Sequence, residues 1–158
     1  MKPLAIVTGG PGGIGRALLT RLAADGFATA SWDLSREAPA DHAMAVDVTD
    51  AAALDAAGAE LSGPYAAAKA GMVALAKIAA KENAAEGILV NAVTPTVVRT
   101  AMERGITDER RRFLLDMIPM GRLAEPAEVA ELVAWLCGPL CTFSTGAVFD
   151  LSGGRATS

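Results

Sequence analysis

One histidine and two cysteines are the whole supply of soft metal-ligating side chains in the 158 residues, too few for a histidine/cysteine metal centre or a disulfide framework. Cys137 and Cys141, four apart in an apolar segment, read as buried thiols in a reducing compartment. His42 falls in a polar loop and reads as a surface residue. No apolar run is long enough to span a bilayer, so no membrane partner is expected. Met1-Lys2-Pro3 leads straight into a strand-like run without a signal-peptide pattern, which points to a cytoplasmic protein. The net charge is −4 and the basic residues are scattered, apart from Arg110-Arg111-Arg112, so a nucleic-acid partner is not expected either. What the chain does have is apolar residues, 52% of the total, enough for one core and so for a single domain over residues 1–158.

Those apolar residues fall in alternating strand and helix patterns. Leu4-Ala5-Ile6-Val7 is a continuous run of the kind that a parallel strand covered on both faces needs. Residues 16–24 have helical spacing and stop at Asp25-Gly26. Residues 27–32 read as a second strand ending at Asp33, and Met44-Ala45-Val46 as a short third. A long helix is predicted from about Pro64 to Glu86, closed by Gly87, followed by a strand over Ile88-Leu89-Val90-Asn91-Ala92-Val93. Glu125-Pro126 opens a helix that runs to about Cys137, with proline near its first turn. Residues 147–151 form the last strand. Strands alternating with helices argue for an α/β fold around a parallel sheet.

Directly after the first strand stands Thr8-Gly9-Gly10-Pro11-Gly12-Gly13-Ile14-Gly15. A strand, a tight glycine turn and a helix set backbone N–H groups and the positive end of a helix dipole against a pyrophosphate. Glycine is needed where φ is positive or where a side chain would block the phosphate. Asp33 lies 18 residues past Gly15 at a strand end, where a carboxylate accepts hydrogen bonds from ribose hydroxyls and repels a 2′-phosphate. NAD is therefore expected over NADP.

Fifty residues past Gly15 comes Tyr65-Ala66-Ala67-Ala68-Lys69. On a helix, Tyr65 and Lys69 share one face. A phenol with a pKa near 10 is a poor acid or base at neutral pH until a cation stabilises its phenolate, which Lys69 would do.

The Gly-x-x-x-Gly-x-Gly spacing, the Tyr/Lys pair with Ala70-Gly71-Met72 after it, Asn91-Ala92-Val93-Thr94-Pro95, Gly121-Arg122 and the closing Ser152-Gly153-Gly154 together resemble the short-chain dehydrogenase/reductase family. The resemblance covers residues 1–57 and 63–158. It implies a Rossmann-like doubly wound sheet and a dinucleotide held by Gly9, Gly13, Ile14 and Gly15 at the pyrophosphate and by Asp33 at the ribose. Asp47 and Val48 would flank the adenine, although a helix cap competes for that loop. Pro95, Val98 and Thr100 would receive the nicotinamide, with Tyr65 and Lys69 as the catalytic pair and Lys69 also holding the second ribose. Thr96 departs from the family, which usually has glycine there. The implied partners are a small alcohol or ketone substrate and a second or fourth copy of the chain, as homodimer or homotetramer. Residues 102–117 correspond to a substrate lid.

The resemblance also marks a gap. Only 17 residues separate Asp47 from Tyr65, where the family carries two more strand–helix units, an Asn-Asn-Ala-Gly strand end and a serine about a dozen residues before the tyrosine. Roughly 70–80 residues are missing by the standard of ordinary domain sizes. Ser62 reads as a helix cap rather than that serine. A doubly wound sheet would thus lack its central strands. Three readings stand: a segment left out of the chain, a degenerate homologue, or a sheet that closes by pairing the first strand with residues 88–93. Two functions follow: an NAD-dependent oxidoreductase interconverting a secondary alcohol and a ketone, or a non-catalytic nucleotide-binding or oligomer-forming remnant.

Overall fold

The computed structural model describes residues 2–33, 35, 37–45, 62–100 and 107–157; for residues 32, 44–45 and 62–68 it describes the backbone alone. Among these residues the order is β1 (Leu4–Thr8), α1 (Gly13–Ala24), β2 (Ala28–Asp33), β3 (His42–Ala45), α2 (Ser62–Asn83), β4 (Ala92–Pro95), α3 (Asp108–Asp116), α4 (Pro126–Cys137) and β5 (Val148–Leu151). The chain forms two compact units. One comprises Met1–Val48, Thr94–Gly138 and Asp150–Ser158, the other Thr49–Val93 and Pro139–Phe149.

In the first unit β1, β2 and β3 make a parallel sheet in that order, with Leu4 opposite Ala28 and Ala30 opposite His42. His42 is thus the first residue of β3 rather than a loop residue, and it is exposed. The expectation of a doubly covered first strand holds only for Val7, at 7% exposure; Leu4 and Ile6 are 59% and 47% exposed. β1 is the outer strand of the three, with no further strand beside it among the described residues. The pairing of β1 with residues 88–93 is not made among the described residues, because β4 pairs with β5 instead.

Helix α1 begins after Gly12, whose extended backbone (φ −68°, ψ 163°) turns the chain into the first turn. Leu19 and Leu22 fall on one face and are buried with Val7 and with Ala134 of α4. Burying each such side chain is worth about 1.5–3 kcal/mol. The helix stops as its glycine predicts: Gly26 takes φ +89°, and Phe27 N–H reaches back to Leu22 O at 3.0 Å. Helix α4 starts at Pro126, where the missing N–H leaves no donor unpaired. Cys141 is buried, but Cys137 is exposed because it is the last residue of α4, past the stripe formed by Val129, Ala130 and Ala134. The region expected to be a lid contains α3, capped by the Thr107 hydroxyl, which accepts Arg110 N–H at 3.3 Å.

In the second unit α2 runs to Asn83, a 3₁₀ turn follows over Ala84–Glu86, and Gly87 ends it with φ +74°. Ala80 is buried, and a Cβ on Gly146 would meet its methyl at 3.4 Å. The strand expected over residues 88–93 is shifted to Ala92–Pro95. Residues 88–91 are held by other bonds: Val90 N–H donates to the Thr145 hydroxyl at 3.1 Å, and the Asn91 amide takes Ser144 O at 2.7 Å and Ala147 N–H at 3.2 Å. This side-chain clamp works beside a backbone bond, Gly146 N–H to Val90 O at 2.7 Å. No helix among the described residues is long and apolar enough to cross a membrane.

Candidate active site

The β1–α1 turn is built from backbone packed on backbone. Gly9 is left-handed at φ +74°, a conformation that puts a strain of about 1–2 kcal/mol on an L side chain. Gly12 N–H closes the turn onto Gly9 O at 3.1 Å. A Cβ on Gly15 would lie 2.2 Å from Gly9 O and 2.8 Å from Gly10 Cα. The first turn of α1 is thus pressed against the glycine loop with no room for a methyl. Its early N–H groups have no intrahelical partners, as at every helix start, and the dipole adds positive potential. Arg16 braces the turn, its Nε donating to Pro11 O at 2.8 Å and its guanidinium also reaching Glu37 O. This is a cradle that fits a pyrophosphate.

Beneath the turn lies a contact that the sequence reading did not anticipate. Ser31 of β2 is 1% exposed, and a Cβ on Gly10 would sit 2.0 Å from its Oγ. That hydroxyl has no hydrogen-bond partner. The glycine requirement at position 10 therefore comes from β2, a neighbour far away in sequence. Two residues on, Asp33 ends β2, and one of its oxygens accepts Ser35 N–H at 3.0 Å. Its second oxygen leaves an acceptor for a ribose hydroxyl. Asp47 and Val48 lie outside the described residues.

The loop after β4 meets the same turn. Val98 forms an isolated parallel bridge with Ala124: Arg99 N–H bonds Ala124 O at 2.8 Å, and Ala124 N–H bonds Val97 O at 3.2 Å. In such a bridge the bonds come from residues 97 and 99, so Val98 turns its own N–H and C=O to the opposite side. Its side chain is buried with Ala124 and Val129, and Ile14 of α1 packs on that cluster. Thr100 touches the turn itself, since a Cβ on Gly13 would come within 2.9 Å of its Cγ2. The fold thus brings together Gly13, Ile14, Val98 and Thr100, which stand up to 87 positions apart in the sequence. Pro95 closes β4 on the same segment, and Thr96 N–H continues the pairing to Leu151 O at 3.1 Å. The Thr96 hydroxyl, where the family usually has glycine, is buried without a hydrogen-bond partner. Thr96 lines a pocket of about 200 Å³ with Met120, Leu151, Arg122 and Glu128.

Two ion pairs brace this loop. Arg122 grips Glu128 with both guanidinium nitrogens, at 2.8 and 2.7 Å, and Glu128 also accepts Glu125 N–H at 2.8 Å. The Arg122 bond, followed by that backbone N–H, pulls the Glu128 carboxyl down to about 2. Arg99 Nε pairs with Glu125 at 2.9 Å. The sequence showed glutamates at the α4 start, but only the fold shows which arginines meet them.

In the second unit, Tyr65 and Lys69 stand one turn apart on α2. Lys69 is exposed and its Nζ donates to Met72 Sδ at 3.8 Å. The helix begins at Ser62, so that residue is the first helical position rather than the residue before it, a difference within the usual one-residue spread of helix ends.

Comparison with known proteins assigns the family. A family model described as "Enoyl-(Acyl carrier protein) reductase" matches residues 56–156. The chain belongs to the short-chain dehydrogenase/reductase family. Among curated relatives it is 41% identical over 90 residues to 3-oxoacyl-[acyl-carrier-protein] reductase FabG of Vibrio cholerae serotype O1, a match covering 57% of this chain and 37% of the relative. It therefore spans little more than a third of that relative's length. It is 26% identical to 2-dehydro-3-deoxy-L-rhamnonate dehydrogenase (NAD(+)) of Sphingomonas sp. strain SKA58, over 97% of this chain and 95% of the relative. That match extends over 236 positions, whereas the chain has 158 residues, so a long block of the relative has no counterpart here. A crystal structure of a short chain dehydrogenase family protein from Francisella tularensis subsp. tularensis SCHU S4 superposes with a TM-score of 0.84 at 19% identity, covering 100% of both chains, a likeness of fold.

Proposed function

We propose that the chain binds NAD across the β1–α1 turn and the Val98–Thr100 loop, and interconverts a secondary alcohol and a ketone. The observation that supports this most is the packing of Gly15 onto the Gly9–Gly10 backbone, with Thr100 against Gly13. Gly9, Gly13, Ile14 and Gly15 would hold the pyrophosphate and Asp33 the adenosine ribose. A carboxylate there favours NAD over NADP, and one full-length relative carries NAD(+) in its name. Val98 would offer its backbone, and Thr100 its hydroxyl, to the carboxamide. The bound dinucleotide supplies the hydride chemistry. Tyr65, the only tyrosine in the chain, would hold and move the proton at its phenolic oxygen. Lys69 would keep that phenol acidic enough to act near neutral pH. The site calls for no metal, and the protein would work in the cytoplasm.

The block of the relative without a counterpart here favours a second reading: a non-catalytic, nucleotide-binding or oligomer-forming protein. Met72, Leu75 and Ile78 are exposed at 59%, 66% and 51% along one side of α2, a surface suited to a homodimer or homotetramer. NADH titration with a carbonyl-reduction assay separates the two. Turnover that falls at least about 10²-fold in Tyr65→Phe, with NADH binding intact, supports the enzyme. Binding without any turnover supports the second reading.

A further inference from the structure

We infer that the Arg122–Glu128 pair is a positioning device that sets the Val98 backbone for the nicotinamide end of the dinucleotide. The inference rests on the reading of the loop given above and goes beyond it, because neither side chain belongs to the binding set. The geometry forms a chain of fixed contacts. Arg122 holds Glu128 through both oxygens, and Glu128 Oε2 holds Glu125 N–H at 2.8 Å. The residue before Glu125 is Ala124, which carries both bridge bonds to residues 97 and 99. The Glu125 side chain returns to the same loop through Arg99 Nε at 2.9 Å. The backbone of residues 124–125 is thus fastened by Glu128 on one side and bonded to the Val98 strand on the other. A bidentate guanidinium–carboxylate pair fixes distance and plane together, which a lysine in place of Arg122 would not. A second contact adds to the hold: Arg122 also donates to Leu123 O at 3.1 Å, immediately before the bridge.

The position matters more than the energy. Both side chains are two-fifths to one-half exposed, so the pair is a modest stabiliser of the fold. A shift of the Val98 peptide, by contrast, moves the groups that face the carboxamide directly. The pyrophosphate cradle is held chiefly by its own backbone packing, Gly15 on Gly9 and Gly10, and neither Arg122 nor Glu128 enters that contact.

The test compares two probes on the full chain, NADH and ADP-ribose, which share the adenosine and pyrophosphate but not the nicotinamide. Arg122→Lys and Glu128→Gln should raise the Kd for NADH about tenfold and that for ADP-ribose less than about twofold. Glu128→Gln keeps an oxygen for Glu125 N–H, so the helix start survives and the variant remains folded; circular dichroism checks this. Arg21→Ala, which breaks pairs with Asp25 at the end of α1 and with Glu131 of α4 but touches neither Arg122 nor Glu128, should leave the ratio of the two Kd values unchanged. Equal loss of both ligands in the fork variants overturns the inference, because it marks a purely structural role. No change in either Kd overturns it as well. If the unaltered chain binds neither probe, the proposed function itself falls, and the inference with it.

Discussion

Replacing Gly15 by alanine is the sharpest test of the glycine cradle, because two physical effects predict opposite signs. Position 15 is the third residue of α1, and helix propensity alone would have alanine stabilise it by up to about 1 kcal/mol. The packing predicts the reverse. The new methyl would lie 2.2 Å from Gly9 O, 2.8 Å from Gly10 Cα and 2.9 Å from Gly9 C. All three are backbone atoms, so no rotamer change relieves the overlap; either α1 shifts or the turn opens. Overpacking of this kind costs about 1–3 kcal/mol, and the immobility of the neighbours argues for the upper half. Against the propensity gain, a net loss of about 1–2 kcal/mol remains, which lowers the melting temperature by roughly 2–8 °C. If the turn opens instead, the loss appears as weaker NADH binding, roughly 5- to 30-fold in Kd. Gly26→Ala is the matched control: its φ of +89° makes alanine strained, but a Cβ there meets nothing within 4 Å. It should lower stability and leave binding alone. Gly13→Ala should be partly rescued by Thr100→Ser, which deletes the Cγ2 standing 2.9 Å away. A Gly15→Ala variant that melts at or above the temperature of the unaltered chain and binds NADH equally well would rule out this steric clash.

The other expectations concern stability. Ser31→Ala removes a buried hydroxyl without a hydrogen-bond partner, so it should be neutral or stabilising by up to about 1 kcal/mol in denaturant titration; a loss above 1 kcal/mol would show that the hydroxyl serves a ligand or a water. Asn91→Ala strips both bonds that clamp Ser144 and Ala147, at 2.7 and 3.2 Å, and should cost about 1–3 kcal/mol; a smaller effect would mean that β4 and β5 register without it. The Glu128 carboxyl is depressed from 4.5 to about 2, so the folded state binds this proton less readily than the unfolded one. Its contribution is fully present above pH 4.5 and is lost as pH falls towards 2. Asp41, lowered chiefly by the Thr29 backbone N–H, acts in the same direction. Stability should therefore fall on acidification across this window, and less steeply in Glu128→Gln; an unchanged slope in that variant would disprove the coupling.

Local chemistry accounts for what could be read in advance. Gly26 and Gly87 ended α1 and α2 because only glycine takes the left-handed step cheaply, and Pro126 opened α4 because its ring suits a helix start. The glycine turn was legible in part for the same reason, since Gly9 answers to its own dihedral and Gly15 to the backbone just before it. The shift of β4 was not legible. Val90 and Asn91 look like strand residues by composition, but the Thr145 hydroxyl takes the Val90 N–H and the Ser144 carbonyl the Asn91 amide, both more than fifty positions away. Ser31 was likewise unremarkable until β2 placed it under Gly10.

The alternation of strands and helices, the family resemblance, the glycine turn and the one-turn spacing of Tyr65 and Lys69 were all written in local sequence. Each of these depends on neighbours within a few residues, where dihedral preference and periodicity act. Tertiary structure alone decided that β1 would be an outer strand with Leu4 and Ile6 exposed, that Thr100 would rest on Gly13, and that Arg122 and Arg99 would choose Glu128 and Glu125. Those outcomes depend on which distant surfaces meet. Steric exclusion and ion pairing become specific only once the backbone has brought the groups within a few ångströms of one another.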